Sequence, residues 1–512
     1  VKILWKRRLI KNEKTTSKKS LRKLPEKINH KQHHTMNVRS FILYILILWV
    51  CLPVGCKVPD IVIRNENRQV PNVYRNGGTT DTTNTARLPW RDFFADTTLV
   101  ALIDTALKNN QELNIILMEI QVAKNEVKSK KGEYLPFGGV GLAGGVDKVG
   151  QYTRDGAVEE NLNVQPGQPF PNPLGNIQVG AFFSWELDIW KKLRNAKNAA
   201  LSRYLASVEG KNFMVTHLVA EIASTYYELL SLDNMLAIVL QNIQNQQNAL
   251  NIVKQQKDAA LVSQLAVNRF EAQLLNTQAL QFDINQKIVE TENHLNFLVG
   301  RFPQPIPRNA LLFNQVQLDS IYAGVPLQLL ENRTDIRQAE HKLSAAKLDV
   351  KVARASFYPT IRLSASIGFE AFNPAVWFNP QSLFYSIFGG LMAPLINRNE
   401  IVANYRSSYA KQLGAVYNYE RTVLNAYIEV DNQLSATRNY TSSYNLKTKE
   451  VDILTTSVDI SINLFNSARA DYMEVLLTQR EALKSRMELI EIKLKQLNSK
   501  VFLYKALGGG WQ

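Results

Sequence analysis

The residues with the clearest chemistry are two cysteines, Cys51 and Cys56. From Phe41 to Val54 runs an apolar stretch of about 14 residues, short of the roughly 20 that a spanning helix needs. It reads as the central region of a signal peptide that starts at Met36, with Arg39 as its charged flank and Gly55 as the small residue at the cut. Gly55-Cys56 has the form of a bacterial lipobox, so Cys56 is expected to become the first mature residue and to carry lipid on its sulfur. Pro53 stands where an aliphatic residue is more usual, which leaves ordinary signal-peptidase cleavage as the alternative.

Little other chemistry is on offer. Once the signal is cut no disulfide can form within one chain, and His217, His294 and His341 lie far apart with no metal-ligand spacing. G-x-S-x-G, H-E-x-x-H and a phosphate-binding glycine loop are all missing, and the glycine-rich 137–145 follows no buried strand and opens no helix. The chain is therefore expected to be no enzyme and to use no cofactor or metal. Its net charge of +15 resembles that of a nucleic-acid binder, but residues 1–55 hold 13 Lys and Arg against two Glu. Residues 56–512 carry 47 basic and 43 acidic side chains, a net of +4, and no nucleic-acid partner is expected.

The elements that position these residues follow from punctuation and period. No proline occurs between Pro173 and Pro303 or after Pro394, so two long blocks are open to helix. In the last, Leu476, Leu483, Ile490, Leu497 and Tyr504 recur every seven residues, the period of a left-handed supercoil. A purely structural coiled-coil lipoprotein is one reading of that repeat. Between the helical blocks the period changes to two. Ile361, Leu363, Ala365, Ile367, Phe369 and Ala371 alternate with polar residues or glycine, as do Ile177, Val179, Ala181, Phe183, Trp185 and Leu187, with Phe182 the exception. Strands of about ten residues with one apolar face suit a membrane β-barrel. A third is expected over 383–393, and a weaker, glycine-rich fourth over 136–147.

The chain also repeats itself. At an offset of 223, "NNQEL" (109–113) matches "NRTDI" (332–336), Val127-Lys128 matches Val350-Lys351, and Pro136 matches Pro359. At 208, Leu193 matches Ile401, Ser263 matches Asp471, Val267 matches Val475, and Gly300 matches Gly508. The difference lies in the longer polar hairpin loop of the first half.

With "LLENRTDIRQAE", "SFYPTIRLSASIG", "SWELDIWKKLRNA", "ADYMEVLLTQREAL" and the terminal "LYKALGGGW", the sequence resembles the TolC-like outer-membrane efflux family, in its OprM-type lipoprotein branch. The proline common at the second position of the family's "NQEL" and "RTDI" equivalents is missing here, which bears on local helix entry. The resemblance implies a mainly α fold with a membrane β-barrel: a homotrimer whose twelve strands, four per chain, continue into a long periplasmic α-helical barrel. Residues 1–35 read as an extension from a misplaced start, with a real basic tail as the alternative, and 36–55 as the signal peptide; the rest divides into a tether (56–96) and two efflux-protein repeats (97–307 and 308–512). The resemblance also implies the function of an outer-membrane exit duct for drugs or other small molecules, joined through a periplasmic adaptor (membrane fusion protein) to an inner-membrane RND transporter. Type I protein or polysaccharide secretion is the alternative cargo.

By the same resemblance the helix reversals at 257–267 and 466–475 face the adaptor, with Ala260, Leu261, Val262, Ser467, Ala468 and Arg469 as contacts. Met473 and Leu477, four apart, share a helix face beside Glu474. Tripled about an axis they would make two apolar rings and one carboxylate ring, a periplasmic gate; the alternative is that Met473 and Leu477 are heptad core and Glu474 a solvated surface acid. The family's aperture-lining acids fall at Glu474 and Leu477, and here only the first is acidic.

Overall fold

The computed structural model describes residues 58–511 apart from 63, 78–80, 311–312, 317, 319 and 468. The expectations for 1–55, for Cys56 and for Ala468 lie outside these residues, and everything described belongs to one compact unit, Cys56–Gln512.

In chain order the elements are α1 (Thr97–Asn109), α2 (Gln111–Tyr134), β1 (Phe137–Asp147), α3 (Arg154–Asn161), β2 (Asn163–Gln165), β3 (Gln168–Pro169), β4 (Leu174–Leu187), α4 (Lys192–Asp258) and α5 (Gln264–Val299). The second half continues with α6 (Thr334–Ala355), β5 (Thr360–Ala371), β6 (Leu383–Met392), α7 (Asn399–Asn466) and α8 (Tyr472–Ala506). All four strands expected from the period-two pattern form, including the glycine-rich β1. They make one antiparallel sheet in the order β1-β4-β5-β6. The register Phe137↔Ser184, Leu187↔Ile361 and Thr360↔Met392 brings all four strand–helix junctions to the same end of the sheet. Phe182 breaks the alternation because β1 leaves a gap for it: a Cβ on Gly141 would lie 3.1 Å from its ring. Among the described residues β1 and β6 have no outer partner, so both edges of the sheet are open.

With no proline to interrupt them, α4 and α7 run for 67 and 68 residues, each about 100 Å at 1.5 Å per residue. The heptad residues Leu476, Leu483, Ile490, Leu497 and Tyr504 are all buried. Ile490, Leu497 and Tyr504 join a core with Ile103, Tyr226 and Leu230, while Leu476 packs far from it against Val253, Val267 and Phe270. Burying such side chains contributes about 1.5–3 kcal/mol each.

Helix entry without proline is solved differently in the two halves. Asn110 caps α2 by accepting from the Leu113 amide at 2.9 Å, and its Nδ2 donates to the Leu298 carbonyl at 2.9 Å. Arg333, at the corresponding place before α6, makes no cap, but its Nη1 donates to the Ala506 carbonyl at 2.8 Å. The neighbouring glycines show why no side chain fits there. Gly300 (φ 77°) and Gly508 (φ 93°) are both left-handed, and a Cβ on them would fall 2.4 Å from the Asn109 carbonyl oxygen and 2.7 Å from that of Asn332.

Candidate functional site

The two long helical hairpins end in matching turns. In the first, the Leu261 amide donates to the Gln256 carbonyl at 2.8 Å, with Ala260 left-handed at φ 60°. In the second, the Arg469 amide donates to the Leu464 carbonyl at 2.8 Å. Such a bond, closing back five residues, satisfies carbonyls that the helix end leaves free. Ser263 and Asp471 then stand at the N-caps of α5 and α8.

At these turns Leu261 is 74% exposed while Val262 packs on the core around Phe270, and Ser467 and Arg469 are exposed. One turn into α8, Val475 and Leu476 take the buried seam, which leaves Leu477 40% exposed and Glu474 in solvent. Met473 is half-buried, its sulfur against the Arg269 guanidinium of α5. Between the two hairpins, just behind the turns, lies a cleft of about 440 Å³ lined by amides such as Asn245, Asn248 and Gln479 together with Phe270 and Arg486. Gln479 is buried, and its side-chain oxygen has no hydrogen-bond partner. Farther along, Lys447 Nζ donates to Glu488 at 2.8 Å and to Glu450 at 3.0 Å, tying α7 to α8. Those bonds hold the Lys447 pKa above its usual value and the Glu450 pKa below it.

The sequence profile of the outer membrane efflux protein family matches residues 102–301 and again 325–509. The chain belongs to that family. It is 30% identical over 426 residues to the solvent efflux pump outer membrane protein SrpC of Pseudomonas putida, covering 82% of this chain and 87% of SrpC. It is 25% identical over 423 residues to the cation efflux system protein CusC of Escherichia coli O6:H1, covering 83% and 88%. The open-state Neisseria gonorrhoeae MtrE outer membrane channel superposes with a TM-score of 0.78 at 22% identity, over 89% of this chain and 99% of that one. As a member of the family, the chain is an outer-membrane efflux protein that extends into the periplasm.

Against that background the residues expected from sequence fall into two groups. Ala260, Leu261, Val262, Ser467 and Arg469 lie on the two helix reversals, and Met473, Glu474 and Leu477 lie one turn into α8. Cys56 and Ala468 are outside the described residues. Two features escaped the sequence. Arg269 holds, at the 208 offset, the place of Leu477, so the pattern could have flagged it beside Met473, Glu474 and Leu477. His217 and His294 converge on one carboxylate, with Nε2 3.8 Å and 3.5 Å from the Glu221 oxygens. Only the packing of α4 on α5 brings these histidines together.

Proposed function

We propose that three copies of this chain join their sheets edge to edge into a twelve-stranded barrel in the outer membrane, continued through the periplasm by the long helices. The assembly is the passive exit duct of a tripartite pump, with an adaptor on the helical turns and an RND transporter in the inner membrane. The open sheet carries this reading. Lipid does not tolerate free edges, about eight strands is the least that closes a barrel, and each chain has four in the sheet. Relatives named for solvent and cation efflux favour small cargo over protein or polysaccharide.

An internal duplication organises the chain. The paired bonds Asn110–Leu298 and Arg333–Ala506 support it, as does the double match to the family. The tether supports lipid on Cys56. Arg64 clamps Glu420 at 2.9 Å, and the eight residues from Cys56 to Arg64 reach at most about 27 Å. Glu420 lies about 32 Å along α7 from its start beside the sheet, so a lipid on Cys56 is compatible with the length of the tether.

Single-channel recording in planar bilayers, with native mass spectrometry of the same sample, tests the duct: trimers should insert and conduct. Trimers that insert and stay silent would return the chain to a structural lipoprotein. Cross-linking from cysteines at Leu261 and Arg469 should capture the adaptor, and capture only from mid-helix positions would overturn the docking sites. Cys56→Ala should abolish acyl labelling and leave uncleaved precursor.

A further inference from the structure

The charge of this chain is distributed very unevenly along the sheet axis. Four segments flank the strand–helix junctions: 124–136, 188–203, 347–359 and 393–411. Together they hold fifteen Lys and Arg against five Asp and Glu, a net of +10, although residues 56–512 as a whole carry only +4. The remainder of 56–512 is therefore net −6. At the opposite end of the sheet, the loops 147–173 and 372–382 hold two basic and four acidic side chains.

Some junction cations are matched internally. Arg194 pairs with Asp188, Arg203 with Asp349, and Lys130 with Glu133. Lys128, Lys131, Lys191, Lys192, Lys351 and Arg354 have no acidic group within 4 Å among the described residues. They lie within about two helical turns of the strand–helix junctions, on three separate helices. Aromatic groups lie at the same junctions: Trp190 stacks on Tyr358 at 4.7 Å and donates to the Pro359 carbonyl at 2.8 Å, and Trp185 donates to the Tyr134 carbonyl at 3.2 Å. Around them Leu395 and Ile396 are exposed. Indole and phenol rings favour the bilayer–water boundary, and unpaired lysines just outside it attract anionic headgroups.

We propose that these six side chains form a basic collar that binds anionic phospholipid headgroups of the periplasmic-side leaflet and so fixes the depth at which the sheet sits. The proposal rests on the outer-membrane duct reading, and its partner is the lipid surface itself. Like charges gathered at one level repel one another, and a plane of phosphates relieves that repulsion in a way that the acidic far end of the sheet cannot use.

The test uses the full-length protein in a Trp377→Phe background, which removes the tryptophan at the far end of the sheet. It is reconstituted in vesicles containing either brominated phosphatidylglycerol or brominated phosphatidylcholine, and tryptophan quenching is read. Brominated phosphatidylglycerol should be preferred by about threefold or more at low salt. That preference should fall toward unity at about 0.5 M salt and in the sixfold variant with Gln at all six positions. Should the sixfold variant misfold, Lys128→Gln/Lys131→Gln in α2 should lose part of the preference. Equal quenching by the two lipids in wild type, or an undiminished preference in correctly folded variants, would overturn the collar and leave the duct reading standing. Quenching by neither lipid would overturn both.

Discussion

Arg333 and Ala506, at the two ends of the second half, are joined by a 2.8 Å bond from guanidinium to carbonyl. The same guanidinium pairs with Asp335 and Glu429. Burial works against its charge, but the two carboxylates outweigh burial and raise its pKa. Arg333→Ala would strand the Ala506 carbonyl and leave both carboxylates without their cation, costing about 3–5 kcal/mol. Asn110→Ala, which removes only neutral hydrogen bonds in the first half, should cost about 1–2 kcal/mol. Urea unfolding of the detergent-solubilised protein checks the order, and equal losses would mean that the charge contributes nothing beyond the bond to the carbonyl.

Ala260 holds a left-handed conformation (φ 60°) that costs a residue with a Cβ about 1–2 kcal/mol. Ala260→Gly should relieve that strain and slow hydrogen exchange at the Leu261 amide, which donates to Gln256. Faster exchange there would show that the freedom glycine adds to the unfolded turn outweighs the strain.

Glu66 locks the tether to the helices. It accepts from Lys347 at 2.7 Å and from Arg68 at 3.2 Å. Burial raises its pKa, but the hydrogen bond from Lys347, with smaller help from its own backbone and Arg68, leaves it below the ordinary 4.5. A carboxylate with a depressed folded pKa stabilises above its unfolded pKa and loses that contribution as pH falls through the folded one. Tether proteolysis should therefore accelerate only below about pH 4.5. Glu66→Gln should loosen the tether already at neutral pH, by about 1 kcal/mol given the exposure of Lys347, and should flatten the acid response. A tether equally resistant in both proteins at pH 7 would assign its hold to Arg64–Glu420 instead.

Much of this architecture can be read from spacing, because period and punctuation are local. Ile361 to Ala371 announce a strand by alternation, Leu476 to Tyr504 a seam by heptads, and the long α4 and α7 by the lack of proline. Phe182 departs from the alternation of its own strand because the gap it fills belongs to Gly141, on another strand. His294 with Glu221, or Glu66 with Lys347, depend on how helices and tether pack side by side, and no local spacing records that.

The gate we propose at Met473, Glu474 and Leu477 is supported by a division of faces at the start of α8. Val475 and Leu476 face the seam, which leaves Met473, Glu474 and Leu477 for the opposite side of α8. In the proposed trimer, apolar rings from Met473 and Leu477 would narrow the duct, and the Glu474 ring would favour cations. Arg269 packs against the Met473 sulfur and limits where that side chain can turn. Replacing Met473, Glu474 and Leu477 together by alanine should raise single-channel conductance and admit large antibiotics. Glu474→Ala alone should mainly weaken cation selectivity. Arg269→Ala should change gating through Met473 while leaving selectivity closer to wild type than Glu474→Ala does. If the triple variant is stable, trimeric and inserted yet conducts like wild type, the constriction lies on other residues.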